Sequence, residues 1–226
     1  MGEPGPRGWA VEHFDESPSS FHARVPPDPA VRAAWVCRPT VPALVLGSTQ
    51  SAAVADAAAC ARRGIEVVRR RSGGGAVLVV PGDLLWVDLL LPAGDPLWED
   101  DVGRAAHWVG AAWARALASL GVETSVHQGS LVRTPWSDLV CFAGLGPGEV
   151  TTSGGAKVVG VSQRRTRAVA RFQCAALLRW DVELLVEVLA LDAAARPEAA
   201  AALAGAGEGL PAEAGALLTA LVDQLP

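Results

Sequence analysis

The sequence predicts an α+β fold, a mixed and largely antiparallel sheet with helices packed on it. Two observations predict it. Strand-like apolar runs follow one another across short Gly- and Pro-containing turns, and only a few stretches carry helical spacing. Half of the 226 residues are hydrophobic, which gives such a sheet a sizeable core to cover.

Residues 1–30 are rich in Pro, Ser and charge and are expected to form an irregular N-terminal arm. A main domain is expected over 31–192, followed by an Ala/Gly-rich segment and terminal helix over 193–226. Within the main domain, Ala33 to Cys37 and Ala43 to Gly47 read as strands, and Ser51 to Arg63 as a helix capped by Ser51 and stopped by Gly64. Glu66 to Arg70, Ala76 to Val80 and Leu84 to Leu91 then form three runs joined by Ser72–Gly75 and Pro81–Asp83. Those connections are short enough for antiparallel neighbours. From Glu99 to Leu120, Val102, Ala106, Val109, Trp113, Ala116 or Leu117, and Leu120 recur at helical spacing behind an acidic first turn, and Gly121 ends the helix. Strands are predicted at Val122 to His127, Asp138 to Phe142, Glu149 to Thr152, Lys157 to Ser162 and Ala168 to Cys174, with a helix at Val182 to Leu191. Ala193 to Gly209 is low-complexity, a frayed helix or a linker, and Ala212 to Leu225 is a short helix.

A net charge of −5 argues against a protein that coats nucleic acid or anionic lipid. The Pro-broken start does not resemble a signal peptide, and no apolar run approaches the roughly 18–20 residues of a membrane helix. A soluble cytoplasmic protein with neither a nucleic-acid nor a membrane partner is expected. Cys37, Cys60, Cys141 and Cys174 lack the spacing of a disulfide framework or of a zinc site, and no metal site is predicted.

The chain has no Tyr, no Asn, one Ile (Ile65) and one Lys (Lys157), whereas arginines are abundant. These depleted types share A/T-rich codons, so a G/C-biased genome replaces Lys by Arg wherever either serves. Lys157 persists, and arginine cannot imitate a compact ammonium, so it is a candidate for chemistry. Its strand alternation points Lys157, Val159 and Val161 to one face, where the ammonium could hold a phosphate or a developing oxyanion. Arg69, Arg70 and Ser72 flank Gly73, Gly74 and Gly75 ahead of Ala76 and Val77, a loop whose open backbone and neighbouring guanidinia could cradle an anion. Cys141, sixteen residues before Lys157, is either core filler or a nucleophile able to carry an acyl group as a thioester. His107 and His127 have no evident catalytic partner, and the tryptophans read as core.

These segments resemble the lipoate-protein ligase family, whose domains carry Arg-Arg-x-Ser/Thr-Gly-Gly-Gly-Ala-Val and a later Gly-x-Lys-x-x-Gly-x-Ala/Ser-Gln. Here they stand as Arg69–Val77 and Gly155–Gln163, in that order, with Gly47–Gln50 similar to the family's Gly-x-x-Gln turn. The resemblance covers roughly residues 35–190. It implies an acyl-ligase-like catalytic domain with a sheet shared with biotin-protein ligases, and a lipoyl or octanoyl group moved onto a lysine of a lipoyl carrier domain through an acyl-adenylate. That carrier would belong to a 2-oxoacid dehydrogenase or be a glycine cleavage carrier protein. ATP and Mg2+ are implied as co-substrates. Gly73–Gly75 would bound the pocket, Arg70 would hold phosphate or carboxylate, and Lys157, with Gly160, Ser162 and Gln163 beside it, would grip the acyl carbonyl and α-phosphate. Val79 stands where the family usually has a histidine. Cys141-Phe142 before Lys157 is similar instead to the related octanoyltransferases, which use a cysteine thioester and no ATP or other cofactor. A non-catalytic acyl- or carrier-binding module is a further alternative, and no Gly-Arg-Gly-Arg-x-Gly loop of a biotin ligase is present. The ligase is the favoured reading by a small margin.

Overall fold

The structure is a computed structural model that describes residues 3–4 and 8–226. Its strands are β1 (Glu3–Pro4), β2 (Ala10–Glu16), β3 (Ala33–Pro39), β4 (Ala43–Leu46), β5 (Glu66–Arg69), β6 (Val77–Val79), β7 (Leu84–Pro92), β8 (Thr124–Val126), β9 (Val150–Thr152), β10 (Lys157–Arg165) and β11 (Val169–Leu177). The helices are α1 (Pro18–Ala23), α2 (Ala57–Arg62), α3 (His107–Ser119), α4 (Val182–Val188), α5 (Ala195–Ala204) and α6 (Ala214–Gln224). The large sheet has the order β1-β2-β3-β7-β11-β10-β9-β8, antiparallel except for the parallel β2–β3 pair, and a small sheet has the order β5-β4-β6. This is the mixed, mostly antiparallel α+β architecture expected.

Strand β7 shows how the layers form. Its residues are buried from Leu84 to Leu91, so both faces of the sheet are covered. Leu85, Val87, Leu89 and Leu91 pack with Val109, Trp113 and Leu117 of α3 and Leu217 and Leu221 of α6. Leu84, Trp86 and Leu90 turn the other way, towards Val45 and Val79 of the small sheet and Phe21 of α1. Helices α4 and α5 close a further core against Leu44, Leu46 and Phe142.

Several local expectations are corrected. Residues 10–16 and 18–23 are not irregular: β2 pairs along its length with β3, and α1 is capped by the Ser17 side chain. The Ser51–Arg63 helix divides into a single turn at Ala52–Val54 and α2. Asp56 caps α2 at Ala59 N, and its own N–H bonds Val188 O. Strands β5, β6 and β7 are not sequential neighbours, because β4 lies between β5 and β6 and β7 belongs to the other sheet. Helix α3 starts at His107 because Asp101 Oδ1 captures the N–H groups of Gly103 and Arg104 in a local turn, the usual competition of Asp with helix. Asp138–Phe142 is a turn that ends in a short 3-10 segment at Cys141–Ala143, touching strand geometry only at the Ala76–Val140 bridge. The Ala193–Gly209 stretch contains α5. Among the described residues no helix is long and apolar enough to cross a membrane.

Candidate active site

Two adjoining cavities lie where the sheets meet. The first is narrow and mostly apolar. Its floor crosses three strands of the large sheet: Gly160 and Ser162 on β10, Gln173 and Ala175 on β11, and Leu84 and Trp86 on β7. Val45, Val77 and Val79 of the small sheet form its roof. The second is a larger, more polar cleft bordered by Gln50, Ser72–Gly75, Arg133, Glu149, Lys157 and Gln163. Cys141, Val161 and Ser162 border both.

The glycines of the 73–75 loop serve close approach. A Cβ on Gly75 would stand 2.5 Å from the Val140 carbonyl carbon, and Gly74 has φ +95° with its carbonyl oxygen 1.8 Å from the Cβ position of Gly47. The loop is therefore pressed against the Val140–Cys141 backbone on one side and the Gly47 turn on the other. Ala76 fixes the first contact: its N–H bonds Leu139 O at 2.8 Å, and Cys141 N–H bonds Ala76 O at 2.9 Å. Gln50 fixes the second, accepting from Gly47 N at 2.9 Å and donating from Nε2 to Asp138 O and Leu139 O.

The arginines before the glycines hold this loop. Arg70 is buried, and its guanidinium donates to Val45 O at 3.2 Å, Gly73 O at 2.7 Å and Gly75 O at 2.8 Å. Arg69 donates to the carbonyls of Gly47, Ser48 and Gln50. The role of holding phosphate that the resemblance gave Arg70 has a competitor in these carbonyls, which would lose their donors if it turned away.

Lys157 is only 2% exposed. Its Nζ donates to Cys141 O at 2.7 Å and to Glu149 Oε2 at 2.8 Å, and lies 5.0 Å from the centre of the Phe142 ring. Glu149 is itself buried and accepts from Gly146 N at 2.6 Å and Val161 N at 3.1 Å, so both ions of the pair have further partners. The β9–β10 hairpin brings them together. Lys157 does not share the face of Val159: the β9–β10 register shifts between them, and Phe142 packs against both Lys157 and Gly160. Lys157 thus joins the Gly160–Ser162 face through the bulge, while Val159 lies in the α3 core.

Cys141 is half-buried, with its Sγ 3.8 Å from the Cβ position of Gly74. It is the cysteine at the cavities' junction. Cys37 and Cys174 are buried thiols pushed up to about 12, by desolvation first and then by the Asp88 charge. Ser72 Oγ lies 3.0 Å from Ser162 Oγ and donates to Gln173 Oε1. Gln163 borders the cleft, and its Nε2 is buried without a partner. Val77 and Val79 are apolar roof residues, and His107 and His127 border neither cavity.

Sequence reasoning missed Glu149, Gln173 and His22. Glu149 had a signal, because a lysine at the head of an apolar strand needs a buried anion, and a hairpin partner is the nearest source. Gln173 and His22 had none.

Two packed sheets, with a glycine-walled cleft opening onto an apolar pocket, define a catalytic domain of the lipoate-ligase type. The model of the family described as Lipoyl protein ligase A/B catalytic domain matches residues 19–204, and the chain belongs to that family. Among solved structures it is similar to the bipartite lipoate protein ligase of Thermoplasma acidophilum, described with its E2 lipoyl domain. The TM-score is 0.73 at 17% identity, over 95% of this chain and 80% of that one. It is also similar to a lipoate-protein ligase A bound with ATP, with a TM-score of 0.59 at 14% identity, over 96% of this chain and 94% of that one. No curated protein sequence matches it.

Proposed function

We propose that the protein transfers an octanoyl or lipoyl group to a lysine of a lipoyl carrier domain, and that Cys141 carries the acyl group as a thioester on the way. The observation that supports this most is the place of Cys141 at the junction of the two cavities. An acyl chain seated in the apolar pocket, at about 0.8 kcal/mol per buried methylene, presents its carbonyl carbon at that thiol. The Cys141 sulfur attacks the carbonyl of a donor thioester, the donor C–S bond breaks, and the departing donor sulfur takes the thiol proton. The neutral amine of the acceptor lysine then attacks the Cys141 thioester, an amide C–N bond forms, and an amine proton passes to the released Cys141 sulfur.

Lys157 has three N–H donors, two of them on Cys141 O and Glu149, which leaves one for an acyl oxygen in the cleft. Ligand binding that displaced the Cys141 carbonyl from Lys157 would free a second.

A second reading, activation of the free acid by ATP, is favoured by the volume of the polar cleft and its Ser72–Gly75 wall. The ATP-bound relative shares the fold and supports this reading to that extent. Of the carboxylates that border the cleft, Glu149 is held by Lys157, and Asp138, largely exposed, pairs with Arg133 at 2.6 Å in a surface contact that a magnesium ion would have to displace.

The two are separated by incubating the protein with a lipoyl carrier domain and either an octanoyl thioester donor or octanoate, ATP and Mg2+. The proposal expects the carrier to gain one octanoyl group from the thioester without nucleotide, with the gain abolished in Cys141→Ser. Gain only with ATP selects the adenylate route. Gain with neither selects a non-catalytic module.

A further inference from the structure

The apolar pocket has an end as well as a mouth. Its mouth is at β10, beside Cys141 and Ser162, and its floor crosses β11 to reach β7. Two strand spacings are about 10 Å, close to the extended length of an eight-carbon chain with bonds of about 1.5 Å. At the far side the His22 ring lies on Trp86, with centroids 4.7 Å apart. Beyond His22 is a separate, more open groove between α1 and β5, with Ala23, Val67 and Val68 on its walls and the polar Ser19, Glu66, Arg69 and Arg71 at its rim. Among the described residues, His22 is the one that borders both the pocket and this groove.

Both parts of this end wall are fixed by one buried carboxylate. Trp86 Nε1 donates to Asp88 Oδ1 at 2.7 Å, and Gln173 Nε2 lies 3.3 Å from Asp88 Oδ2 and 3.1 Å from His22 Nδ1. Arg171 holds Asp88 at 2.5 Å and reaches the carbonyls of Phe21 and Arg24, which anchors α1 to the large sheet. Burial, with Arg171 and Arg70 nearby, holds the His22 pKa at about 3, so the plug is neutral and compatible with an apolar chain.

We infer that His22, braced by Gln173 and Trp86, is the residue that sets the longest acyl chain the pocket accepts, and that removing its ring joins the pocket to the groove beyond. The inference rests on the acyl-transfer reading and deepens it by naming the side chain that limits the length of the chain the pocket accepts.

The test measures binding of six-, eight-, ten- and twelve-carbon fatty acids by the wild type, His22→Ala and His22→Phe, with acyl transfer to a carrier domain alongside. Wild-type affinity should rise about fourfold per methylene up to roughly eight carbons and then fall. In His22→Ala the twelve- to eight-carbon affinity ratio should rise on the order of tenfold, from methylenes newly buried beyond the wall. His22→Phe keeps a ring there and should restore the wild-type order. If the wild type binds none of the series, the functional reading fails. If the wild type has the limit and His22→Ala keeps it, the inference about His22 is overturned. A measurement on the wild type avoids any folding loss in the variant: octanoate with a photoreactive diazirine at its terminal carbon should label the Phe21–Ala23 segment or Trp86. Labelling confined to Val45 or to the Gly73–Gly75 loop would overturn it.

Discussion

The polar cleft takes Ser72–Gly75 and Lys157–Gln163 from two short motifs and Gln50, Cys141 and Glu149 from the turns around them, whereas the apolar pocket draws His22, Val45, Val79, Trp86 and Gln173 from five elements, α1, β4, β6, β7 and β11. The difference lies in what each has to do. The cleft needs a backbone that passes within touching distance of another backbone, and that demand is written locally as Gly74, Gly75 and Gly47. The pocket needs only small or apolar surfaces arriving from separate strands, and those look like ordinary core residues until the topology brings them together.

If the cleft is the more tightly specified region, its substitutions should cost most. Lys157→Met leaves Glu149 buried without its counter-ion, and loss of one partner of a buried pair costs about 3–5 kcal/mol. A urea titration should show that loss, and adding Glu149→Gln to it should recover part. A cost under 1 kcal/mol would mean that the pair is not buried as described. Next in size, Gly75→Ala places a methyl inside the Val140–Cys141 backbone, and such overpacking costs about 1–3 kcal/mol. Transfer should fall with it, because the segment that must move carries Cys141. The same substitution at Gly73, where nothing lies within 4 Å of the new Cβ, should be much milder in the same titration.

The pocket's end wall should instead be visible in acid. The folded His22 pKa is depressed to about 3 from 6.5, so below pH 6.5 the unfolded chain binds a proton that the native protein does not. Stability from this site is fully present above pH 6.5 and is lost as pH falls towards 3, at about 1.4 kcal/mol per pH unit inside that window. His22→Phe should flatten the wild-type decline between pH 6.5 and 5 in thermal or urea unfolding. An identical slope in the variant would show that the imidazole is not buried neutral. The smallest effect belongs outside both regions: Arg63→Ala breaks an exposed pair with Glu187 and should change stability by less than about 1 kcal/mol.

The same division decides what could be read from the sequence. The strands around Leu84–Leu91 and Lys157–Cys174 were legible because their apolar runs are long and are punctuated by Gly and Pro. Strand β2 was not, because its half-buried, partly acidic sequence sits between prolines and is held by parallel pairing to β3, which no local signal announces. The insertion of β4 between β5 and β6 was hidden for the same reason: short turns predict neighbours, and long-range pairing overrode them. In the site, Lys157 stood out by composition and Gly73–Gly75 by pattern. The Lys157 face was misread because a bulge breaks the alternation that the argument assumed. Arg70 lies beside the glycines as its motif implies, but only the folded loop shows its guanidinium tied to the carbonyls of Val45, Gly73 and Gly75.

The most direct test of the central claim is the intact mass of the protein after brief exposure to an octanoyl thioester donor, with no nucleotide and no acceptor. The expected result is a gain of one octanoyl group, released by hydroxylamine, mapped to the peptide containing Cys141 and absent from Cys141→Ser. An unmodified protein that still acylates its carrier, or a Cys141→Ser variant with undiminished transfer, would contradict it.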